Sequence, residues 1–455
     1  MIRIAFKTTG CKVNQADEES VRRALADLPV EWVSPDQPAD VIVVNACAVT
    51  QAAERDGRSW VNRGTRAGSS VVLAGCMATR VTRDGGDARL PGDVRVVPGT
   101  RDRDLLVQAL RDEVARREAA GGSMASVPVD AAAGGSMDPE ARVPGDARSS
   151  SPHTRTPSRA RPLVKVQDGC DCRCAYCIVP LLRGPSRSVP VEAIQPAVLA
   201  AARASAAEVV LAGVDLAAWG RDLHGASLPD LVARLRALRT GLRFRLSSIE
   251  PHGLTDRLLE AMAAGTDVCP HLHVPLQSGC DRVLRAMHRP YATAMLADRV
   301  NAFARALPGL SIGMDVIVGF PGETDADFQE TRAFLESLPV TYLHVFPYSV
   351  RPGTEAASLP GEPDPPVKAA RSQVLRDFSA ARRAAHAMAL VGRDVEVVDV
   401  RARAGGHVES LSGDYTRVLR RDASGPRPGR FLLRVASARG ADVVASAAPS
   451  LTEPA

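Results

Sequence analysis

The stretch LVKVQDGCDCRCAYC, residues 163–177, decides the architecture of the middle of the chain. Its first four residues form an apolar run that predicts a β-strand. It ends with the spacing Cys-x3-Cys-x2-Cys, formed by Cys170, Cys174 and Cys177. Soft thiolates in this arrangement suit an iron–sulfur cluster. Because a cubane has four irons, three thiolates in one tight loop predict a [4Fe–4S] cluster with one iron that no cysteine ligates.

Such an iron can chelate the amino and carboxyl groups of S-adenosylmethionine. An electron from the cluster can then break a C–S bond and yield the 5′-deoxyadenosyl radical. Cys172 leaves a second interpretation open, because a fourth ligand would close the cluster, as in a ferredoxin or a zinc module. The loop follows a strand, and barrel active sites lie beyond strand ends, which favours the first interpretation. We therefore expect Cys170, Cys174 and Cys177 to be catalytic as well as metal-binding.

The residues around this loop predict a barrel. Six apolar runs recur between residues 161 and 365, with helical patterns between them. A complete eight-unit barrel needs more chain, so we expect a partial (β/α)6 barrel. Residues 365–390 form one long Ala- and Arg-rich helical pattern. The predicted domain, residues 161–390, therefore ends with that helix.

Residues 1–116 predict an N-terminal parallel α/β (Rossmann-like) domain, because short apolar runs again alternate with helical patterns. Cys11, Cys47 and Cys76 each stand at or just beyond the end of such a run. The carboxyl edge of an open α/β sheet is where ligands bind, so three thiols there could hold a second cubane. The competing interpretation is three unrelated buried cysteines, since free cysteine is a frequent core residue.

The remaining segments differ in composition. Residues 117–160 are rich in glycine and serine and predict a flexible linker or insertion. Residues 391–446 contain short β-branched runs among glycine and proline turns and predict a small C-terminal β-barrel, followed by a tail, residues 447–455. Ten arginines against six acidic residues between positions 391 and 440 suit phosphate contacts, and a merely solvated surface is the alternative.

Composition also excludes some classes of protein. No run of 18 apolar residues occurs and the N-terminus lacks the layout of a signal peptide, so we expect a cytoplasmic protein without a membrane-spanning helix, and a monomer. In a reducing compartment, nine cysteines favour metal binding over disulfides. The net charge of +5 permits a polyanionic partner without requiring one.

Long, ordered motifs extend beyond the cysteine loop: TGCKVN at 9–14, VNACAVT at 44–50, GCMA at 75–78, RG at 183–184, SRS at 186–188, SSIEP at 247–251, HLHVPLQSG at 271–279 and DVIVGFPGET at 315–324. With them the chain resembles the methylthiotransferase family of radical S-adenosylmethionine enzymes over nearly its whole length. The resemblance implies an auxiliary [4Fe–4S] cluster in the N-terminal domain, a radical core and a C-terminal TRAM domain that grips RNA. It also implies replacement of a C–H bond by C–S–CH3, with one S-adenosylmethionine supplying the methyl group and a second the radical.

The same resemblance implies two [4Fe–4S] clusters, the second on Cys11, Cys47 and Cys76, with tRNA and an unidentified electron donor as partners. The motif GCKVN at 10–14 is similar to the branch that acts on N6-threonylcarbamoyladenosine beside the anticodon. The branch acting on isopentenyladenosine tends to carry Cys-Gln-Met-Asn there, and the branch acting on a ribosomal protein Cys-Pro-Lys-Asn. Both substrates stay open, as does a non-catalytic iron–sulfur or zinc RNA-binding protein. Cys172, Cys280 and Asp414 depart from the family pattern.

Eight further residues are candidates for binding S-adenosylmethionine, because they lie beside the loop or at the predicted barrel strands. Glu250 and Asp315 could hydrogen-bond ribose or amino groups, and Tyr176 could pack on the adenine. Arg183 and Arg187, just past the loop, could neutralise the cosubstrate carboxylate or an RNA phosphate. Ordinary strand-end, packing or surface roles are the alternative for each. The eight candidates are Tyr176, Gly213, Ser248, Glu250, His273, Gln277, Asp315 and Gly319.

Overall fold

A computed structural model of the chain describes residues 1–99, 103–119 and 160–446, and these form two compact units. The first unit holds the described residues up to Ala119 together with Leu181–Arg183, and the second holds residues 160–180 and 184–446. Of the predicted linker, residues 120–159 lie outside the described part of the chain, and so does the predicted tail, 447–455. Residues 117–119 end a helix instead.

The first unit is an α/β domain. Its elements are β1 (Ile2–Thr8), α1 (Lys12–Ala24), β2 (Val30–Val33), β3 (Val41–Asn45), α2 (Gln51–Arg66), β4 (Ser70–Ala74), α3 (Gly75–Arg83), β5 (Arg95–Val96) and α4 (Arg103–Ala119). The strands form one parallel sheet in the order β2-β1-β3-β4-β5, which confirms the predicted Rossmann-like architecture. All five residues of β3 are buried, as expected for an apolar central strand of a parallel sheet.

This strand order fixes where a ligand can bind. The chain runs outward on one side through β1 and β2, and then crosses back to β3 and continues to β4 and β5. The order therefore reverses between β1 and β3, and in sheets of this kind the crevice at the carboxyl ends of such a strand pair is the binding position. Cys11 follows β1 and Cys47 follows β3.

The second unit begins with the larger core. Its elements are β6 (Leu163–Lys165), β7 (Gln167–Asp168), α5 (Val179–Arg183, shared with the first unit), β8 (Arg187–Ser188), α6 (Val191–Arg203), β9 (Glu208–Ala212), α7 (Leu228–Arg236), β10 (Arg243–Leu246), α8 (Asp256–Ala263), β11 (His271–Gln277), α9 (Asp281–Ala286), α10 (Thr293–Ala306), β12 (Ser311–Val318), α11 (Asp325–Ser337), β13 (Tyr342–Pro347) and α12 (Pro365–Leu390). None of the described helices is both long and apolar enough to cross a membrane.

Six of these strands make the predicted partial (β/α)6 barrel. β6, β9 and β10 pair in parallel, as do β11, β12 and β13. Two parallel bridges, Phe244 to Val268 and Ser248 to His273, connect the two halves between β10 and β11. The six carboxyl ends therefore face one edge, and one continuous apolar core lies between the strands and the surrounding helices.

The C-terminal part of the second unit is a closed barrel of five strands in the order β14-β15-β16-β18-β17, as predicted. Its strands are β14 (Asp394–Arg403), β15 (His407–Ser412), β16 (Arg417–Arg421), β17 (Arg430–Arg439) and β18 (Asp442–Ala445). Neighbouring strands are antiparallel except β16 and β18, which are parallel. Closure pairs every strand edge, and the end of α12 adds Ala387 and Leu390 to the apolar core of the barrel.

A buried ion cluster joins this barrel to the amino ends of the core strands. Glu208 is fully buried and accepts hydrogen bonds at 2.7 Å from the guanidinium groups of Arg161, Arg243 and Arg245. Arg245 also donates to the carbonyls of Ser412 and Gly413, in the turn between β15 and β16. Because a buried charge is tolerated only when paired, the three arginines and the carboxylate hold one another in place.

The same turn places an aromatic ring against the core. Tyr415 has φ of 70°, a left-handed conformation that non-glycine residues seldom adopt. Its ring stacks on His271, the first residue of β11, with centroids 4.7 Å apart, and Arg245 lies over its face. These contacts lie at the amino ends of the core strands, opposite to the edge where the cysteine loop begins. They therefore attach the C-terminal barrel to the core without obstructing that edge.

Candidate functional site

The cysteine loop follows directly from β7. Gly169, with φ of 72°, turns the chain, and Cys170 follows. The loop is held by its own backbone, since the N–H of Cys172 donates to Cys170 Sγ at 3.4 Å and the N–H of Cys177 donates to the Cys174 carbonyl at 3.0 Å. Such short-range bonds require only the local sequence. Partners outside the loop also hold it, since the N–H of Cys170 donates to the Gly184 carbonyl and the N–H of Ala175 donates to the Met287 carbonyl, both at 3.1 Å.

Burial and neighbouring groups make the thiols of Cys170, Cys174 and Cys177 weaker acids than a free thiol, so a bound cation is needed to keep them as thiolates. Burial and the neighbouring Cys174 raise the pKa of the Cys177 thiol to about 12. The hydrogen bond that the Cys170 thiol donates to Cys172, together with burial, raises the pKa of Cys170. Thiolates packed this closely repel one another unless a positive centre lies between them. The donor set of Cys170, Cys174 and Cys177 therefore fits an iron–sulfur cluster.

Arg289 reaches the loop from the far side of the barrel edge. Its Nη1 donates to Cys174 Sγ at 3.3 Å, and its Nη2 pairs with the carboxylate of Glu250 and donates to the Pro275 carbonyl at 3.1 Å. The guanidinium is almost fully buried. A buried positive charge beside a cluster ligand offsets the negative charge of the thiolates, and Glu250 keeps that charge oriented.

Two acceptors beside the loop have unmet hydrogen-bonding capacity. Asp215 Oδ2 lies 4.0 Å from Cys172 Sγ. Asp215 Oδ1 and His252 Nε2, 3.9 Å apart, are buried and have no hydrogen-bond partner among the described residues. Burial also raises the pKa of Asp215. Buried polar atoms of this kind need a ligand or water, and the polar groups of a cosubstrate bound at the loop would satisfy them.

Three of the predicted cosubstrate residues form one contact group inside the barrel. His273 Nε2 lies 3.1 Å from Asp315 Oδ1, and Ser248 Oγ lies 2.8 Å from His273 Nδ1. His344, on the adjacent β13, completes the group at 3.2 Å from both His273 and Asp315. Burial would raise the pKa of Asp315, but the two histidines outweigh it and hold that pKa below its usual range. These strands thus present an oriented carboxylate and imidazoles to the barrel interior.

The other candidates lie at the carboxyl edge of the same strands. Gly213 directly follows β9, Gln277 ends β11 and Gly319 directly follows β12. Gln277 has φ of 69°, just after Pro275 interrupts the pairing of β11 with β12. Tyr176 packs beside Cys174 in a small apolar cluster. All eight candidates therefore lie beside the loop, at this strand edge or within the barrel, and their binding of a cosubstrate stays a prediction.

The three distant cysteines meet at the crevice of the first unit. Hydrogen bonds between the strand ends bring β1, β3 and β4 together, from Thr9 N–H to the Asn45 carbonyl at 3.0 Å and from Ala46 N–H to the Ala74 carbonyl at 3.1 Å. Cys11 precedes α1 and Cys76 is the second residue of α3. Helix N-termini carry partial positive charge and stabilise thiolates, so the crevice is suited to soft metal ligation.

The three thiols lie close enough to affect one another electrostatically. Burial, Cys76 and Cys11 together raise the pKa of the Cys47 thiol. Gly10, with φ of 96°, lies so close that a β-carbon there would be 2.3 Å from Cys47 Cβ and 3.0 Å from its Sγ. The crevice thus accepts only glycine at position 10. The donor set and the cleared backbone fit a second cluster held by Cys11, Cys47 and Cys76.

Arg183 lies in this first unit, beside Cys76. Its Nε is 3.3 Å from Cys76 Sγ, and its Nη2 is 2.6 Å from Asn14 Oδ1 and 3.3 Å from Asp17 Oδ2. The residue is 2% exposed, so a solvated surface role is wrong for it, whereas Arg187 is exposed. The contact with Cys76 spans 107 positions, which is why its place next to the loop suggested other partners.

Sequence reasoning missed Arg289, His344 and Asp215. Asp215 follows the end of β9 by three positions, so the strand-end rule that selected Gly213 could have found it. His344 lies within an apolar strand, where one polar residue among apolar neighbours is a signal. Arg289 gives no local signal, because its contact with Cys174 spans 115 positions.

The arginines of the C-terminal barrel are only partly available to a phosphate. Arg420 is buried and pairs with Asp399 and Asp422, so it is not a phosphate contact. Several others, Arg417, Arg427, Arg430 and Arg434, pair with acidic neighbours at the barrel surface. Exposed arginines are also present, at positions 393, 421 and 439. The basic surface is therefore smaller than the arginine count predicted.

Comparison with known families and proteins agrees with this geometry. The Radical SAM superfamily matches residues 164–335, and uncharacterized protein family UPF0004 matches residues 3–89. The structure of the radical S-adenosylmethionine methyltransferase TsrM from Kitasatospora setae, with cobalamin and a [4Fe-4S] cluster bound, superposes with a TM-score of 0.51 at 14% identity, covering 78% of this chain and 77% of that chain. At that identity the likeness concerns the fold.

Full-length relatives are more similar in sequence. Threonylcarbamoyladenosine tRNA methylthiotransferase MtaB of Bacillus subtilis is 34% identical, covering 81% of this chain and 78% of its own length. Ribosomal protein uS12 methylthiotransferase RimO of Desulforudis audaxviator is also 34% identical, covering 94% of this chain and 93% of its own length. The tRNA-2-methylthio-N(6)-dimethylallyladenosine synthase of Sorangium cellulosum is 35% identical, covering 90% of this chain and 84% of its own length. These names share one chemistry and differ in substrate.

Proposed function

The chain belongs to the radical S-adenosylmethionine methylthiotransferase family, and on that premise we propose that it transfers a methylthio group to C2 of N6-threonylcarbamoyladenosine next to the anticodon of tRNA. The family makes it a sulfur-transferring enzyme that uses S-adenosylmethionine and a [4Fe–4S] cluster. What is proposed is the nucleoside, the residues that hold each group and a second cluster. The observation that carries the proposal is the presence of two separate three-cysteine sites in one chain.

The substrate assignment has two supports. Relatives named for threonylcarbamoyladenosine come from Bacillus subtilis and Aquifex aeolicus, at 34% and 33% identity. The motif Gly10-Cys11-Lys12-Val13-Asn14 resembles the same branch. The uS12 relative matches 93% of its own length, so the ribosomal protein is the second candidate substrate. Isopentenyladenosine is the third, from the synthase relatives.

In the radical site, Cys170, Cys174 and Cys177 would hold the first cluster, which when bound supplies the electron that cleaves S-adenosylmethionine. Arg289 holds Cys174 through an N–H···S contact, and Glu250 orients that guanidinium. Asp215 and His252 offer unpaired polar atoms for the amino group or ribose of the cosubstrate. Gly213 and Gly319 place no side chain at the strand edge, Gln277 lies at the end of β11, and Tyr176 offers a ring beside the loop.

Inside the barrel, His273, Asp315 and Ser248 are placed to bind the polar groups of the bound molecules. Ser248 holds Nδ1 of His273, so the Nε2 of that ring is directed at Asp315. Because Asp315 stays ionised at neutral pH, it can accept hydrogen bonds but cannot donate them. The arrangement suits recognition of ribose hydroxyls or ring N–H groups.

We assign residues 1–116 to a domain that holds the second cluster on Cys11, Cys47 and Cys76, residues 161–390 to the radical core and residues 391–446 to a TRAM-like domain that contacts tRNA. The exposed arginines at 393, 421 and 439 are the phosphate contacts that the barrel offers. An external one-electron donor is required, and a monomer suffices for all of these roles.

The decisive experiment is nucleoside mass spectrometry of tRNA from a strain in which the gene has been deleted. Loss of the methylthio form of threonylcarbamoyladenosine, and its return when the gene is restored on a plasmid, is the expected result. Restoration with the Cys174→Ala variant should fail. If that nucleoside persists while the methylthio form of isopentenyladenosine or the modification of uS12 disappears, the substrate assignment is wrong and the corresponding alternative holds.

A further inference from the structure

We propose that Arg183 is a positioning residue for the second cluster. By donating an N–H···S hydrogen bond to Cys76, it raises the reduction potential of that cluster. The inference rests on the proposed function, because it presumes that Cys11, Cys47 and Cys76 hold a cluster. It concerns this chain's own side chain and its effect on a reduction potential. The observation behind it is a guanidinium, 2% exposed, with Nε 3.3 Å from a cluster thiol.

The position of Arg183 is determined by three partners at once. Asn14 Oδ1 accepts from Nη2 at 2.6 Å, Asp17 Oδ2 lies 3.3 Å from the same nitrogen, and Cys76 Sγ faces Nε. Asn14 is itself fully buried, donates to the Thr9 carbonyl at 3.1 Å and accepts at its own carbonyl from Asn45 Nδ2 at 2.8 Å. The guanidinium is thus tied to the ends of β1 and β3, where Cys11 and Cys47 begin.

The charge balance favours a role beyond packing. Asp17 supplies one negative charge to Arg183, and three cysteinate ligands would add three more in the same buried space. Arg183 is a positive side chain in contact with one of these thiols. Hydrogen bonds to cluster sulfurs and nearby positive charge both raise a cluster's reduction potential, because they stabilise the state that carries one more electron. Arg183 supplies both through one group.

The consequence can be stated as a one-electron balance. A reductant gives one electron to the oxidised cluster, no proton is transferred to the sulfur, and the added negative charge is compensated by the Arg183 guanidinium already in contact. Without that charge the same electron enters a more negative environment of low dielectric constant, so the midpoint potential becomes more negative. A lysine, which keeps the charge but lacks the planar fork held by Asn14 and Asp17, should restore part of the effect.

The experiment uses the full-length chain with Cys170, Cys174 and Cys177 all changed to Ala, so that only the second site can bind iron. After anaerobic reconstitution, its midpoint potential is measured by dithionite potentiometry followed by electron paramagnetic resonance. The variants Arg183→Met, Arg183→Gln and Arg183→Lys are compared with this parent at equal iron and sulfide content. Arg22→Met is the matched control, because Arg22 is also a poorly exposed arginine of the first unit, paired with Glu18.

We expect the midpoint potentials of the Met and Gln variants to be clearly more negative than that of the parent. The Lys variant should have an intermediate midpoint potential, and the Arg22→Met control should have the same midpoint potential as the parent. If Met and Gln variants that retain iron titrate with the parent, the role of Arg183 is refuted. If the Met variant binds no iron, the Gln and Lys variants are compared instead. Equal midpoint potentials in these two variants would refute the role of Arg183. A parent that binds no iron contradicts the second cluster itself, and so separates failure of the proposed function from failure of this inference.

Discussion

Cys170, Cys174 and Cys177 come from eight consecutive residues, whereas Cys11, Cys47 and Cys76 come from three different strand ends spread over 66 residues. The first set is held partly by hydrogen bonds within its own loop and partly by bonds to other segments, such as Ala175 N–H to the Met287 carbonyl. The second is held by bonds between strands, such as Thr9 N–H to the Asn45 carbonyl. The ligand spacing of the loop is set by the local chain, while a convergent site takes its spacing from the packing of the sheet.

The two sites nevertheless share one device, which is a buried arginine that donates to a cysteine sulfur at 3.3 Å. Arg289 faces Cys174 and Arg183 faces Cys76. The anchors of the two arginines differ, since Arg289 pairs with Glu250 and Arg183 with Asn14 and Asp17. The spacing of the cysteine ligands and the environment of their sulfurs are therefore set separately. The spacing can come from one short segment, but the arginine beside each cluster sulfur comes from a distant part of the chain.

The largest expected effect is that of Cys174→Ala, which removes a ligand from the local site only. Iron should fall from about eight to about four per chain, since each cubane holds four. Formation of 5′-deoxyadenosine should fall by more than about 100-fold, because even changes to residues around a metal ligand cost 10–100-fold. Iron analysis and chromatography of the reaction measure both. Retention of about eight irons would contradict the assignment of this ligand.

The second largest effect should follow from Gly10→Ala, which disturbs only the convergent site. The new β-carbon would lie 2.3 Å from Cys47 Cβ, and the φ of 96° adds strain of about 1 kcal/mol. Iron should fall to about four per chain, while cleavage of S-adenosylmethionine without tRNA continues and methylthiolation stops. Gly68→Ala is the control, because its φ is 73° with nothing within 4 Å. Equal iron loss in both variants would show that backbone strain alone was responsible.

A smaller contrast is expected between two cysteines of the same loop in iron-free protein. The pKa of the Cys177 thiol is raised to about 12 by burial and Cys174, whereas a hydrogen bond from Cys170 lowers the pKa of Cys172. At pH 8 only about one Cys177 in 10,000 is a thiolate, so iodoacetamide should modify Cys172 much faster, as peptide mass spectrometry can show. Comparable rates at pH 8 would contradict these environments.

The same shift predicts a loss of stability in alkali. The folded state holds the Cys177 proton more tightly than the unfolded chain, so its contribution is complete below the ordinary thiol pKa of 9.0 and is lost as the pH rises to about 12. Iron-free protein should therefore unfold at lower denaturant concentration at pH 10.5 than at pH 8, as measured by circular dichroism. A Cys177→Ala variant should show a weaker dependence.

The smallest effect should be that of Cys172→Ala, which tests whether the local site has three ligands or four. Cys172 contacts Cys170 and lies 4.0 Å from Asp215, so it can tune the loop without binding iron. We expect about eight irons per chain and a change in 5′-deoxyadenosine formation below about tenfold. Loss of half the iron, as in Cys174→Ala, would support the closed cluster that the sequence left open.

Much of the fold could be predicted from the sequence, because alternation of strands and helices leaves a direct pattern. The helix Pro365–Leu390 and the six core strands were found in this way. Some strands escaped. β2 is four residues long, and β15 carries only Val408 and Leu411 among polar residues. β10 was found as a strand, but the burial of its Arg243 and Arg245 was not predicted; both are buried because Glu208 neutralises them from β9. A partner on another strand cannot be inferred from the strand itself.

The sequence by itself determined the chemistry of the local loop, since Cys170, Cys174 and Cys177 lie within eight consecutive residues. It also determined the class of each domain, because side-chain periodicity is a local property. Only the tertiary structure decided that Cys11, Cys47 and Cys76 meet, and that Arg183 and Arg289 stand beside cysteine sulfurs. The reason is physical: contacts between positions far apart in the chain depend on strand order and packing, which no local pattern encodes.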